Sequence, residues 1–241
     1  MAMTQSQKEE LISRAKKFFK DVVAKNHLRN TRKLTKLKSF KVNPFLVSYL
    51  SNFLTGNADP ENIAKILVYN RVLGTSINTS FGTSLQKFCS DVLGGTGSIA
   101  QGADVEYIDS EDGRTKYCQI KLGPQTINKD DVETISNHFN KIKSLARTNN
   151  RALQVDDMVI GVLYGEETEL SANYKKLSQD FVVLSGRNFW YHFTGDMNFY
   201  DELIDCFAEV AQEIDSRRVL NKVIKALSED IKSKGSVLGL L

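Results

Sequence analysis

The stretch that most restricts the fold is residues 102–124, where two β-prone runs flank an Asp112-Gly113 pair, a strong short-range hairpin signal. Side chains alternate along a strand, so Ala103, Val105 and Tyr107 face one way and Asp104, Glu106 and Ile108 the other. In the second run Cys118, Ile120 and Leu122 share a face, and Tyr117, Gln119 and Lys121 share the opposite one. A two-residue turn at Asp112-Gly113 sets Glu111 opposite Arg114, which predicts Glu106 opposite Gln119 and Asp104 opposite Lys121. One face of the ribbon is then apolar. The other gathers two carboxylates, an amide and an ammonium at the end of the second strand. A hard divalent cation takes oxygen ligands, and Asp104, the Gln119 amide oxygen and Glu106 can supply them. Lys121 is placed to steer or deprotonate a water, or to neutralise charge developing on a phosphate. The same residues also suit the solvated face of an ordinary hairpin, so the rest of the chain has to decide.

The 241 residues suffice for one large domain with a substantial core. Hydrophobic and charged contents of 41% and 25% are those of an ordinary soluble globule. No run of 18 apolar residues occurs, so no membrane span is expected, and Met1–Glu10 has no apolar signal region. The expected location is the cytoplasm, with Cys89, Cys118 and Cys206 reduced, because they are odd in number, widely spaced and make no metal spacing. A net charge of +3 excludes a simple polybasic binder, but its distribution is uneven. Val22 to Ala58 holds no acid while carrying Lys25, Arg29, Arg32, Lys33, Lys36, Lys38 and Lys41, and Thr134 to Val155 holds none while carrying Lys141, Lys143, Arg147 and Arg151. Segregated basic runs suit a polyanion partner, against the plainer alternative of a solvated positive helix face.

Taken in order, Gln5 to about Lys25 has apolar residues at helical spacing. A basic connector, 26–41, follows with no clear period. Asn43-Pro44 opens a helix that Gly56 ends, and Asp59-Pro60 caps a third running to about Leu73. A helix through Leu85, Phe88, Cys89, Val92 and Leu93 leads to Gly94-Gly-Thr-Gly97, which lacks the Lys-Ser/Thr of a nucleotide loop and reads as a flexible connector. After Pro124, Asn128 or Asp130 can cap a helix to about Arg147 with a stripe of Val132, Ile135, Phe139, Ile142 and Leu145. His138 beside that stripe reads as packed or partner-bonded rather than as a metal ligand. Met158–Tyr164 reads as a buried central strand. Phe181–Leu184 and Asn188–Phe193 read as further strands after a connection with a helix near Tyr174, and His192 is expected in the core. The C-terminus, about 198–214 and 217–234, is helical and amphipathic. The order predicts an α/β fold, a mixed sheet with helices on both faces.

Asp104 followed on the next strand by Gln119-Ile120-Lys121 resembles the PD-(D/E)xK nuclease signature in its Gln-x-Lys form. Ala103 stands where that family has Pro, and Gln119 replaces the commoner acid. Further segments resemble type II restriction endonucleases that cut GGNCC-type sites, in the same order over roughly residues 33–196. They are Lys33-Leu-Thr-Lys-Leu37 leading into Val42-Asn-Pro-Phe45, Thr79-Ser-Phe-Gly82, the hairpin through Lys121-Leu-Gly123, Ile160-Gly-Val-Leu-Tyr-Gly165, and Gly186-Arg-Asn-Phe-Trp190.

The resemblance implies a restriction-endonuclease-like mixed β-sheet core flanked by helices. It divides the chain into an N-terminal helical region with basic connector (1–77), a PD-(D/E)xK-like catalytic core (78–196) and C-terminal helices (197–241), together one compact domain. It implies a homodimeric, Mg²⁺-dependent site-specific endonuclease, hydrolysing both strands of a short palindromic duplex DNA site, and a cognate DNA methyltransferase protecting the host. A twofold dimer suits a palindrome because each subunit reads one half-site. In this reading Asp104, Gln119 and Lys121 are catalytic: Asp104 holds Mg²⁺, Gln119 and the Ile120 carbonyl add oxygens, Glu106 stands in reserve and Lys121 activates water. Lys33, Lys36, Lys38, Lys129 and Arg147 are phosphate candidates, and Gln125, Asn128 and Arg187 are candidates to read bases.

Two rivals remain. A repair or junction-resolving nuclease would share the metal site but recognise DNA structure. A catalytically inactive DNA-binding module would have Gln119 as the mark of a decayed site, which retention of Asp104 and Lys121 argues against. A small-molecule enzyme finds no nucleophile–base pair or cofactor loop in the sequence.

Overall fold

The computed structural model describes residues 3–93, 102–149, 153–214 and 216–234. The Gly94–Gly97 connector lies outside them. The chain divides into two compact units, one of Met1–Phe18 with Leu85–Phe207 and one of Phe19–Ser84 with Ala208–Leu241.

The first unit holds a four-stranded mixed sheet in the order β1-β2-β3-β4: Val105–Ile108, Thr115–Lys121, Met158–Val162 and Val182–Ser185. β1 pairs antiparallel with β2, while β2–β3 and β3–β4 are parallel. Parallel neighbours need a crossover, and the 20-residue α7 (Lys129–Thr148) supplies it between β2 and β3. α7 starts in a full capping box, with Asn128 Oδ1 accepting the Asp131 N–H at 3.0 Å and Asp131 Oδ2 accepting the Asn128 N–H at 2.8 Å. Its stripe of Val132, Ile135, Phe139 and Ile142 is buried. Leu145, expected in that stripe, is exposed and Ala146 takes its place. Position 145 lies some 100° around the helix from position 146, and the latter continues the spacing set by Ile135, Phe139 and Ile142.

That stripe, with Tyr174 and Leu177 of α8 (Ala172–Leu177), covers one sheet face at Tyr117, Met158, Ile160 and Val162. The hairpin face expected to be polar is therefore largely closed by helices. The opposite face meets α9 (Gly186–Thr194), whose Phe189 and Phe193 rings lie 6.4 and 5.0 Å from that of Tyr107. Residues 188–193, expected as a strand, are thus helical. Their aromatic content suits a strand, but such propensity yields to context, and as a helix ended by left-handed Gly195 they bury Phe189, Trp190 and Phe193 together.

The hairpin register also differs from expectation. Glu106 pairs with Tyr117, not Gln119, and Val105 pairs with Cys118. The closing pair is Asp109–Arg114, with Asp109 N–H donating to the Arg114 carbonyl at 2.9 Å. This leaves a four-residue loop whose last member, Gly113, is left-handed at φ 68°. Asp109 fixes the loop: its carboxylate accepts the Glu111 N–H at 2.8 Å and meets His192 Nδ1 at 2.9–3.0 Å. His192, expected in the core, is instead a half-buried partner of that carboxylate. A register shift of two residues keeps side chains on their faces, so Val105, Tyr107 and Cys118 still share one. Lys116 joins them, buried and ion-paired to Asp112 and Asp157.

The second unit is helical. It comprises α2 (Lys25–Thr31), α3 (Pro44–Thr55), α4 (Pro60–Tyr69), α5 (Ile77–Gly82) and α11 (Ser216–Lys234), with π-helical turns at Phe19–Ala24 and Asn70–Ser76. Its core joins Leu34, Leu37, Val47, Ile63, Leu67, Val68, Val72, Val223, Ile224, Leu227 and Ile231. The basic connector is pinned here, since Leu34 and Leu37 are buried and Asp230 Oδ2 accepts the Leu37 N–H at 2.8 Å. In α3, Asn43 caps the N-terminus, Pro44 occupies the first turn and Gly56 ends the helix at φ 81°, as the sequence predicts.

Candidate active site

β1 begins at Val105, one residue short of Asp104, while β2 runs on to Lys121. β2 would otherwise lack a partner for the Ile120 N–H on that side. The Asp104 side chain supplies it: its Oδ2 accepts the Ile120 N–H at 2.8 Å, while the Asp104 N–H donates to the Cys118 carbonyl at 2.8 Å. The expected pairing of Asp104 with Lys121 across the ribbon is therefore replaced by a carboxylate bonded to the backbone between Gln119 and Lys121. A strand residue's N–H and C=O point to the same neighbour, so the Ile120 carbonyl faces the Asp104 side as well.

Gln119 is only 4% exposed. Its Nε2 donates to the Gly102 carbonyl at 2.7 Å and lies 2.8 Å from His138 Nδ1 on α7. Lys121 is half-buried, at the point where its own carbonyl accepts the Leu163 N–H at 3.0 Å. Neither Asp104 nor Lys121 has an ion-pair partner among the described residues. The negative field of Asp104 reaches two buried thiols. Burial first, and that carboxylate second, push Cys89 up to about 12 and raise Cys118 well above the ordinary thiol range.

The loops that follow β2 and β3 are tied to each other and to α8 and α9. Tyr174 donates its hydroxyl to the Gly123 carbonyl at 3.0 Å, Ser171 N–H donates to the Pro124 carbonyl at 3.0 Å, and Trp190 Nε1 donates to the Leu163 carbonyl at 3.0 Å. Three segments far apart in the sequence, at 121–124, 163–165 and 186–190, thus meet in one unit. A family model described as type II restriction endonuclease EcoO109I matches residues 13–215, well over half of the chain. The chain belongs to this family.

Membership makes it an endonuclease, a hydrolase whose substrate is DNA, built on the restriction-endonuclease fold. Among the curated proteins none matches the chain. The endonuclease gathers no group of three His, Cys, Asp or Glu side chains fit for a metal among the described residues. A cation here would therefore draw on one carboxylate together with neutral oxygens, from the Gln119 amide and the Ile120 carbonyl. These are hard donors that suit Mg²⁺ better than a soft ion, and Asp104 carries no competing cation. Glu106, opposite Tyr117, is two positions from the pairing expected for it.

The endonuclease's other expected contacts fall into two groups. Lys33, Lys36 and Lys38 are exposed in the second unit, Lys36 lying 3.4 Å from Asp230, and Lys129 and Arg147 are exposed on α7. Gln125 donates to the Glu169 carbonyl at 2.5 Å, Asn128 caps α7, and Arg187 is held by both oxygens of Asp201 over the Tyr200 ring. The sequence does not name the partner of His138. Its place on the flank of the α7 stripe was visible, but not which strand residue it would meet.

Proposed function

We propose that the chain is a Mg²⁺-dependent type II restriction endonuclease that hydrolyses both strands of a short palindromic duplex DNA site, GGNCC-like, as a homodimer. The observation that carries this reading is the bond from Asp104 to the Ile120 N–H, which holds the carboxylate against Gln119-Ile120-Lys121. Asp104, with the Gln119 amide oxygen and the Ile120 carbonyl, would hold the cation, Glu106 remaining in reserve. Bound there, it would lower the pKa of a coordinated water and stabilise charge on the phosphate. Lys121 orients and activates the attacking water, and its ammonium offsets negative charge building on the scissile phosphate. The half-buried setting strengthens both effects by limiting bulk water.

Lys33, Lys36, Lys38, Lys129 and Arg147 hold phosphates and so fix position without reading sequence. Gln125, Asn128 and Arg187 are the candidates for base edges, Arg187 exchanging Asp201 for DNA on binding. A second copy is supported by α3, which exposes Phe45, Leu46, Tyr49, Phe53 and Leu54 and has no charged residue from Val42 to Ala58. A twofold contact sets a patch against itself, and an uncharged one brings no like charges together. A methyltransferase of the same specificity protects the host DNA.

Incubation with bacteriophage DNA and Mg²⁺, followed by sequencing of the fragment ends, tests the reading. Discrete fragments ending at one palindromic site are expected. Cleavage confined to branched DNA would select the junction-resolving alternative, and binding without cleavage the inactive module.

A further inference from the structure

The Gln119 amide is oriented by its surroundings, and the orientation follows from hydrogen-bond chemistry alone. The Gly102 carbonyl can only accept, so the Gln119 atom 2.7 Å from it must be the NH₂ group. Reversing the amide would set two carbonyl oxygens against each other at that distance. The same NH₂ lies 2.8 Å from His138 Nδ1, which must therefore offer its lone pair. The two N–H bonds of the amide are thereby spent on two acceptors, and the oxygen is left on the other branch. Gly102 allows the arrangement: its φ of +116° is a conformation few side chains adopt, and a Cβ there would come within 3.0 Å of His138 Cβ.

An amide needs such a lock at a cation site where a carboxylate does not. A carboxylate presents oxygen whichever way it turns, whereas a reversed amide presents N–H bonds to the cation and repels it. We propose that His138 is a positioning residue, which together with the Gly102 carbonyl holds the Gln119 amide with its oxygen toward the divalent cation shared with Asp104. The inference rests on the reading of Asp104 and Gln119 as cation ligands.

The test is Mn²⁺ binding to the full-length protein without DNA, titrated by electron paramagnetic resonance, with the Mg²⁺ dependence of cleavage measured in parallel. His138→Leu removes the acceptor and should weaken Mn²⁺ binding about tenfold or more, the usual cost of losing a partner that orients a ligand. His138→Asn keeps an acceptor in a similar place and should restore binding to within about threefold. In a Gln119→Glu background, His138→Leu should have no effect, because no orientation remains to be lost. Unchanged Mn²⁺ binding in His138→Leu, alongside its loss in Asp104→Ala, would overturn the positioning role and leave the cation site standing. So would equal losses from the Leu and Asn variants, or an undiminished loss in the Gln119→Glu background. Unchanged binding in Asp104→Ala would remove the cation site and this inference with it.

Discussion

Asp104 and Ile120 are joined by a carboxylate-to-backbone hydrogen bond of 2.8 Å at the point where β1 gives out and β2 continues. Asp104→Asn can keep an acceptor for that N–H while removing the charge. It should therefore leave the melting temperature nearly unchanged and lower the cleavage rate by about 10²–10⁴, as for other positioned catalytic groups. Lys121→Ala should cost a similar factor with DNA affinity largely retained. Rapid cleavage by Lys121→Ala would refute its assigned role.

The phosphate contacts have a distinct signature. Replacing Lys33 or Lys129 by Ala should weaken binding about equally for all DNA sequences and reduce the slope of log K against log salt by about one. Arg187→Ala should instead relax sequence preference at one position. A mere change in salt slope for Arg187→Ala would place it on the backbone rather than the bases.

The α3 patch predicts a self-associated protein. Phe45 and Phe53 are 87% and 70% exposed, so replacing both by Glu removes little packing within one copy, and the variant should still unfold cooperatively, at a melting temperature lowered only by the loss of the partner copy. Sedimentation equilibrium should show the mass of the double variant at half that of the parent, because facing copies would then present like charges. A parent protein that sediments as a monomer at micromolar concentration would end the dimer proposal.

Asp230 lends the second unit a pH dependence of known sign. The Leu37 N–H, and after it the Lys234 and Lys36 ammoniums, hold its carboxyl below the ordinary carboxylate range against the opposing effect of burial. A carboxylate whose pKa is lowered by folding contributes its full stability above its unfolded value, about 3.9, and loses it as the pH falls through the folded value. The melting temperature of Asp230→Asn should therefore lie below that of the parent at pH 7, and the gap should close below about pH 4.

The three cysteines are all buried and none is in a disulfide. With Cys89 pushed up to about 12 and Cys118 also raised, by burial and then by the Asp104 charge, these two thiols carry almost no thiolate at pH 8. Native protein should react with a disulfide reagent far more slowly than free cysteine does, and denaturation should release all three thiols at once. Quick labelling of Cys118 in the native protein would contradict its burial on the sheet face that meets α9.

The features that the sequence determined by itself are those whose causes lie within a few residues. Asn43, Pro44 and Gly56 bound α3, a cap at Asn128 or Asp130 starts α7, and the apolar run from Met158 makes a buried strand, because caps and periodicity act through near neighbours. The division of the hairpin into two faces has the same origin, and it survived the register error because that error was of two residues. Only the tertiary structure decided the rest. The register depended on Asp109 meeting His192, 83 positions away, and the helix at 186–194 depended on Tyr107 and its neighbours needing a cover. Asp104 reached Ile120 because a strand ended early, and Gln119 was buried because α7 crossed over it. Such choices turn on which distant groups remain unsatisfied once the chain has folded, and local residue preferences carry no record of those partners.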